Sequence, residues 1–426
     1  MNHKNKIKAE PFDIMQYFYR EVHDPLIHCL MQFSAPIEEK TLIKAVTYSL
    51  DAIPLIGCCF DDSSRRPCWV KRDFKGEDIV HTVNAEPNEI KQCERLLIST
   101  IDIYNEPQLK IFLIKADNGC DKMCLIINHM VCDGSGLKEY LYLLAGIYTQ
   151  LENDIDCKIH LDCNSRSINL LFKNINFLGK INLLFSNYHF PVQVFKDNIP
   201  ISRTERKPFF ALHVINKEDF NKMILFSKQM NVTINDIILT SYIRFLHKHT
   251  KTNRIIMPCP VDLRKYLSVN QKHGICNLTG NYYCDVSIKK EDSFCDTLYT
   301  VSEQMKAQKK NNKCLKPLIN LQLAFKILPF EFLKKNFYRY FTIPVISYSN
   351  LGVLDKNLLN FGSVAVDRIF LTGAIKNKPY FQLTVSTYDN NCVLSCNRYG
   401  TPFDKSLIRS YLKELKDDIL INCILQ

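Results

Sequence analysis

The stretch that most constrains the fold is 122–148, where an apolar run of strand length is followed at once by a helical pattern. Met123–Ile127 is short and apolar, which is typical of a strand buried on both faces. From Ser135 onward, apolar residues recur at helical spacing, namely Leu137, Leu141, Leu144 and Tyr148. Asp133 or Ser135 can cap such a helix, and glycines ease the turn. The pattern predicts a strand end that turns into a helix and projects side chains into a cleft.

This junction carries one imidazole, His129, and one carboxylate, Asp133, directly before Gly134. A histidine on a constrained turn can take up a proton near neutral pH and act as a general base. A residue inside so tight a loop more often faces away from the histidine, so we expect Asp133 to bind an arginine or backbone amides. The alternative interpretation is structural, because a lone histidine at a strand end is usually a hydrogen-bonded core residue.

Strand and helix patterns alternate through two halves of the chain, which predicts an α/β fold. Between the halves, 151–207 is first polar and then aromatic and basic, and the second half restarts near Pro200. Its clearest pattern is Asn231–Thr233, which caps a long amphipathic helix with Asp236 in its first turn. Tyr380–Cys396 is predicted to form two alternating strands around an Asp-Asn-Asn turn.

Composition indicates an ordinary globular protein of 426 residues, with 46% hydrophobic and 23% charged residues. The polar start and the lack of any apolar run of about 18 residues predict a cytoplasmic location. The 18 cysteines include no CxxC pair, which favours reduced thiols over a zinc site or a disulfide framework. Without a glycine-rich phosphate loop, nucleotide hydrolysis and dinucleotide binding have no support.

The formal net charge of +11 is concentrated in 305–341, where nine cations face one acidic residue, a net charge of +8. Such a cluster predicts an acidic partner, either a phosphate group, an acidic carrier protein or an anionic membrane surface. Lys309, Lys310 and Lys313 are the candidate donor-binding residues within it. The alternative is a solvated helix face. For the aromatic, basic segment Ile168–Lys196, we expect a helix over the junction of the halves rather than a membrane contact.

The six residues from His129 to Gly134, HMVCDG, fit the HxxxDG signature of the condensation-domain and CoA-dependent acyltransferase superfamily. Four further segments resemble landmarks of that family, two of them from its alcohol-acetyltransferase-like branch, and occur in the expected order. They are NVTINDIILTSYIRFL at 231–246, PVDLR at 260–264, NLTGN at 277–281 and SYSNLG at 347–352. Together the landmarks span nearly the whole chain.

The resemblance implies two chloramphenicol-acetyltransferase-like subdomains that form a pseudo-dimer around a central channel. The first would be 1–165 with the HxxxDG motif, the second 208–426, with 166–207 as the crossover between them. Within the motif, the resemblance makes His129 the general base. It also implies a salt bridge from Arg264 to Asp133, and we expect two parallel hydrogen bonds that lock the loop.

Three more residues are interpreted through the resemblance. Ser349 or Asn350 would line the channel and could bond a developing oxyanion, although asparagine at a strand end is as often a turn residue. Asn128 stands where peptide-forming condensation domains carry a first histidine, which is generally regarded as structural. This departure weakens the peptide-synthetase hypothesis more than it weakens catalysis. The DFGWG motif of plant BAHD enzymes is absent, which argues against that branch.

The function implied is acyl transfer from a thioester donor, acyl-CoA or a phosphopantetheinyl carrier protein, to a hydroxyl or amine acceptor. The acceptor would be a small molecule or a lipid alcohol or amine, with peripheral membrane contact allowed by the aromatic-basic segments. No bound cofactor, metal or nucleic acid is expected. Two alternatives stay open, namely a nonribosomal-peptide-type condensation enzyme and a non-catalytic homologue that binds a carrier protein or ligand. The latter would be expected to have lost His129 or Asp133, and neither is lost.

Overall fold

The computed structural model describes residues 5–153, 164–185, 207–268, 271–340 and 343–424. The described strands are β1 Lys6–Lys8, β2 Leu26–Phe33, β3 Cys58–Asp61, β4 Cys68–Lys71, β5 Val80–Asn84, β6 Leu109–Lys115, β7 Lys122–Asn128, β8 Lys207–Ile215, β9 Arg254–Asp262, β10 Thr279–Ser287, β11 Ile346–Leu354, β12 Asn360–Phe361, β13 Val364–Thr372, β14 Phe381–Tyr388 and β15 Asn391–Gly400. The described α-helices are α1 Pro11–Phe18, α2 Glu39–Ala52, α3 Glu89–Leu97, α4 Gly134–Glu152, α5 Phe177–Phe185, α6 Lys217–Gln229, α7 Ile234–Thr250, α8 Phe294–Lys309, α9 Lys316–Ile327, α10 Phe330–Tyr340 and α11 Pro402–Ile424.

The first lobe is built on a six-stranded sheet in which β7 is a central strand. The order is β12, β13, β2, β7, β6 and β5, with β2 and β6 antiparallel to β7. Leu125 and Ile127 belong to the core of this lobe, whereas Cys124 and Ile126 pack in a separate cluster with Phe210 of β8. The strand is therefore buried on both faces, as its apolar run predicts.

The second lobe contains a four-stranded sheet, ordered β11, β14, β15 and β8, and a two-stranded pair of β9 and β10. Helices α6, α7 and α11 pack together beside it. α7 begins in the predicted way, because Thr233 and Asp236 bond each other's backbone N–H groups in a capping box. The predicted hairpin turn is confirmed as well, since Asp389 and Asn390 have positive φ angles of 44° and 59°.

The two lobes are interleaved in sequence, because part of the second half completes the first sheet. β13 pairs antiparallel with β2, and the chain then crosses through residues 373–380 into β14 of the second sheet. The division into 1–165, 166–207 and 208–426 stays a prediction, and 186–206 lies outside the described residues. The crossing segment places both sheets next to the end of β7, where the HxxxDG loop begins.

The aromatic, basic segment after α4 is described only in part, up to residue 185. Ile168–Phe172 forms a short 3₁₀ turn that contributes to the second lobe's core. α5 follows, with Phe177 and Phe185 each 76% exposed. The predicted helix over the junction extends to residue 196, so its end lies outside the described residues. Among the described helices, none combines the length and apolarity that a membrane crossing needs.

Candidate active site

The loop between β7 and α4 is short and is anchored by hydrogen bonds where it begins. Asn128 is fully buried, and its side chain donates to Gln108 Oε1 at 2.7 Å and accepts from Met130 N at 2.9 Å. His129 N donates to Pro25 O at 2.6 Å, which ties the loop to the segment entering β2. The structure therefore gives Asn128 bonds that hold the turn, in keeping with a supporting role.

Asn277 orients the imidazole of His129. Its Nδ2 donates to the backbone carbonyls of His129 and Met130, at 2.8 and 3.2 Å. These two bonds turn Oδ1 toward the ring, 3.1 Å from His129 Nδ1. An amide oxygen only accepts hydrogen bonds, so Nδ1 carries the proton and Nε2 keeps its lone pair. Within the described part of the chain Nε2 has no hydrogen-bond partner, which leaves it available as a base.

Burial lowers the pKa of His129 below its ordinary value of 6.5, and the charge of Lys376 acts in the same direction. A hydrogen bond to its own backbone carbonyl, the charge of Asp133 and the Asn277 contact oppose this shift without reversing it. The ring is therefore neutral at physiological pH. A neutral imidazole with a free Nε2 is the form that accepts a proton in general base catalysis.

Asp133 points away from the imidazole and joins the loop to the second lobe. Its Oδ1 accepts from Gly136 N at 2.8 Å, which caps α4. Its Oδ2 accepts from Leu278 N at 2.7 Å, Thr279 Oγ1 at 2.8 Å and Arg264 Nη1 at 3.1 Å. Burial alone would raise the pKa of this carboxyl, but the charge and hydrogen bond of Arg264 and the backbone amides hold it below 3.8. Asp133 is thus a buried, ionised anchor of the loop.

Arg264 forms the ion pair with Asp133, but it does so through one nitrogen. Nη1 lies 3.1 Å from Asp133 Oδ2 and also 3.1 Å from Asp262 Oδ1. Nη2 donates to Cys276 O at 2.8 Å, and Nε lies 3.1 Å from Glu139 Oε1. The expected grip by two parallel hydrogen bonds is therefore wrong, because the guanidinium is shared among three carboxylates and a carbonyl.

A second buried ion pair supports the same loop from α1, and the sequence gives no local sign of it. Arg166 donates to both oxygens of Asp13, at 3.1 and 2.9 Å, and its Nη2 also donates to Val131 O at 3.1 Å. Trp69 Nε1 donates to the same carboxylate at 3.0 Å, and Asp13 is only 1% exposed. Arg166 and Asp13 are 153 positions apart, so spacing cannot predict their contact.

Gly134 lets the start of α4 approach the second lobe closely. A Cβ at this position would lie 2.5 Å from Cδ2 of Leu351 in β11, so a larger residue would require the Leu351 side chain to move. The neighbouring Cys132 is fully buried, and burial raises the pKa of its thiol well above the ordinary value. A protonated, buried thiol is a poor nucleophile, which leaves the imidazole as the loop's candidate reactive group.

The two oxyanion candidates on β11 differ in their surroundings. Asn350 Nδ2 donates to Asn235 Oδ1 at 2.9 Å, and its Oδ1 accepts from Gly352 N at 2.8 Å. These bonds hold the bulge that β11 makes after Asn350, which agrees with the turn interpretation of this residue. Ser349 is partly buried and pairs with Thr384 of β14. Its hydroxyl remains the better candidate donor to an oxyanion.

The three donor-binding candidates are exposed at the C-terminal end of α8 and just beyond it, at Lys309, Lys310 and Lys313. Asn311, within this group, accepts a hydrogen bond from Tyr266 OH at 3.3 Å. Tyr266 closes the 3₁₀ turn Leu263–Tyr266, which also carries Arg264. Across the described residues, no hydrogen bond joins Lys309 or Lys310 directly to the His129 loop. They form a separate surface that is connected to the site through this turn.

No protein-family model and no curated protein matches the sequence, whereas solved structures match over nearly the full chain. The epimerization domain of tyrocidine synthetase B is 14% identical and covers 99% of this chain and 97% of its own, with a TM-score of 0.66. The first condensation domain of the calcium-dependent antibiotic synthetase is 12% identical, with coverage of 98% and 97% and a TM-score of 0.69. The TRI3 trichothecene 15-O-acetyltransferase from Fusarium sporotrichioides is 11% identical, with coverage of 97% and 95% and a TM-score of 0.67. The chain therefore has the two-lobed, chloramphenicol-acetyltransferase-like fold that condensation domains and acetyltransferases share.

Proposed function

We propose that this chain is a stand-alone acyltransferase that moves an acyl group from a thioester donor to a hydroxyl or amine acceptor. The donor is acyl-CoA or an acyl carrier protein. The observation that carries the proposal is the state of His129, whose Nδ1 proton is held by Asn277 while Nε2 has no partner within the described residues. The fold shared with condensation domains and an acetyltransferase supports acyl transfer in general.

The reaction follows from the free Nε2 of His129. Nε2 takes the proton of the acceptor O–H or N–H as the acceptor oxygen or nitrogen forms a bond to the thioester carbonyl carbon. The tetrahedral intermediate then collapses, the C–S bond breaks, and the imidazolium returns the proton to the departing thiolate. The acyl group passes directly to the acceptor, so no acyl-enzyme forms and the imidazole ends neutral.

The contributions to the rate are divided between the base and its surroundings. General base catalysis contributes roughly 10²–10⁴-fold, so positioning of both substrates and stabilisation of the oxyanion supply the rest. Ser349 is the candidate donor to the oxyanion, since it belongs to β11, the strand whose Leu351 packs against the start of α4. The ion pairs of Asp133 and Asp13 hold the loop from two sides, and rigid support of this kind keeps a base aligned.

The test of this proposal is a coupled assay of thiol release and product mass. Purified protein is mixed with acyl-CoAs of increasing chain length, or with acyl-loaded carrier protein, and with primary alcohols and amines. We expect thiol release that depends on the acceptor and equals the amount of acylated acceptor found by mass spectrometry. Thiol release without an acylated product would indicate a thioesterase. No thiol release from either kind of donor would contradict acyl transfer.

The exposed lysines beyond α8 are proposed to bind the phosphates of CoA or an acidic carrier protein. Replacing Lys309, Lys310 and Lys313 together by glutamine should raise the KM of the donor and weaken its salt dependence, with little change in kcat. The KM of the acceptor should stay the same. The matched control replaces three exposed lysines of α2 and α3, Lys40, Lys44 and Lys91. Equal donor KM values in the two triple variants would show that the first cluster is solvated surface.

A further inference from the structure

Lys376 is a partly buried cation on the segment 373–380, which connects the first sheet to the second. Its backbone is fixed on two sides, because its N–H donates to Asn397 O and its carbonyl accepts from Tyr399 N, both at 3.0 Å. On its other side it forms an isolated β-bridge with His23. The ammonium is therefore carried by a well-anchored stretch of backbone at the junction of the lobes.

This segment lies next to the catalytic loop. Residues 22–25 run between them, with Asp24 N donating to Ile375 O at 3.3 Å on one side and Pro25 O accepting from His129 N at 2.6 Å on the other. The closeness is also electrostatic, since the charge of Lys376 lowers the pKa of His129. Lys376 and His129 thus flank the same few residues.

The ammonium of Lys376 has more N–H groups than it has hydrogen-bond partners within the described residues. An ammonium has three N–H groups, yet the one partner of Nζ within the described residues is His23 Nδ1, at 3.4 Å. His23 is buried, and burial lowers its pKa well below 6.5, so it is a neutral partner. The nearby carboxylate of Asp24 accepts a hydrogen bond from Ile375 N through its Oδ1, at 2.7 Å. Within the described residues, no carboxylate comes within ion-pair distance of Lys376.

A partly buried cation without a paired carboxylate is costly unless an anion joins it. Burial accordingly lowers the pKa of Lys376 to about 8, against the opposing charge of Asp24. The two arginines that support the His129 loop are each paired with a carboxylate, Arg264 with Asp133 and Arg166 with Asp13. Lys376 differs from them in that no carboxylate of the described residues lies within ion-pair distance of its ammonium, and the charge of Asp24 acts on it only from farther away.

We infer that Lys376 and His23 form an anion-binding subsite beside His129, which selects substrates that carry a carboxylate. The carboxylate accepts hydrogen bonds from N–H groups of Lys376 and supplies a paired counter-ion, which the described residues do not provide within ion-pair distance. The inference rests on the proposed acyl transfer, and it names the substrate class of that same site. The carboxylate is carried either by the acyl chain of the donor or by the acceptor.

The first measurement does not depend on acyl transfer. The ring signals of His129 are followed by NMR while glutarate or its neutral analogue glutaramide is added to the full chain. We expect glutarate to shift these signals in the wild-type protein and in Lys376→Arg, and to need about tenfold higher concentration in Lys376→Met. Lys44→Met on the exposed face of α2 is the control and should behave as wild type. Thermal unfolding of each variant shows that the fold is intact.

The second measurement identifies the source of the carboxylate. The donor pair is succinyl-CoA and butyryl-CoA, and the acceptor pair is 3-hydroxypropionate and 1,3-propanediol. In Lys376→Met we expect kcat/KM to fall by about tenfold for the carboxylated member of one pair, with its neutral counterpart little changed. The pair that responds tells whether the donor or the acceptor carries the anion.

Three results would overturn the subsite. The first is that glutarate leaves the ring signals of His129 in the wild-type protein unchanged. The second is that glutaramide shifts these signals as much as glutarate does. The third is an equal fall in kcat for the charged and the neutral members of both substrate pairs. Such a fall would mean that Lys376 stabilises the oxyanion or sets the pKa of His129, and that it does not bind a carboxylate. Binding of glutarate that is lost in Lys376→Met, in a protein that transfers no acyl group, would keep the subsite and refute the proposed function.

Discussion

Replacing Asp133 by alanine should destabilise the fold by about 3–5 kcal/mol, the usual cost of removing one partner from a buried ion pair. The side chain is 4% exposed and accepts four hydrogen bonds, from Arg264, Gly136, Leu278 and Thr279. Its loss leaves those donors without their acceptor where the loop meets the second lobe. Denaturant unfolding at pH 7 measures the change in the free energy of unfolding, and activity should fall with it.

Asp262→Ala is the matched control, because Asp262 contacts the same nitrogen of Arg264 at the same 3.1 Å but is 43% exposed. An exposed pair contributes about 1 kcal/mol or less. The pH dependence gives a second check. The pKa of Asp133 is held below 3.8, so its contribution is present above that pH and disappears as the pH falls through the lowered value. Equal unfolding free energies for Asp133→Ala and Asp262→Ala would refute the anchoring role.

The sequence predicts the local part of this site well. A buried strand, a histidine at its end and a capped helix after it are encoded within 122–148, and the structure has β7, His129 and α4 in those places. The orientation of Asp133 also follows from local reasoning, because a carboxylate at the start of a helix accepts from backbone amides. These features depend on near neighbours in the chain, which periodicity and capping rules describe.

The residues that contact or flank the His129 imidazole are distant in sequence and could not be predicted from spacing. Asn277 is 148 positions from His129. It belongs to the NLTGN segment, but nothing in that pattern indicates that its amide would set the tautomer of an imidazole. Lys376 reaches the site because β13 joins the first sheet and the chain then crosses to the second. That pairing of β13 with β2 depends on tertiary packing, and a strand pattern alone does not name its partner.

Replacing His129 by alanine should lower kcat for acyl transfer by roughly 10²–10⁴-fold, because general base catalysis of this size is lost. The fold should survive, since the backbone bond from His129 N to Pro25 O does not need the side chain. The ring's hydrogen bond to Asn277 is lost, at a cost of about 1 kcal/mol. His81→Ala is the matched control, an exposed histidine of β5 in the same sheet, and it should keep wild-type kcat.

The most direct test of the account is the amount of acylated acceptor formed over time, measured by mass spectrometry for the wild-type protein and for folded His129→Ala at saturating donor and acceptor. We predict steady formation of acylated acceptor by the wild-type protein, no increase in the protein's own mass, and a rate at least about 10² lower in the variant. Near wild-type product formation by folded His129→Ala, or an acyl group found on the protein, would contradict direct transfer with His129 as the base.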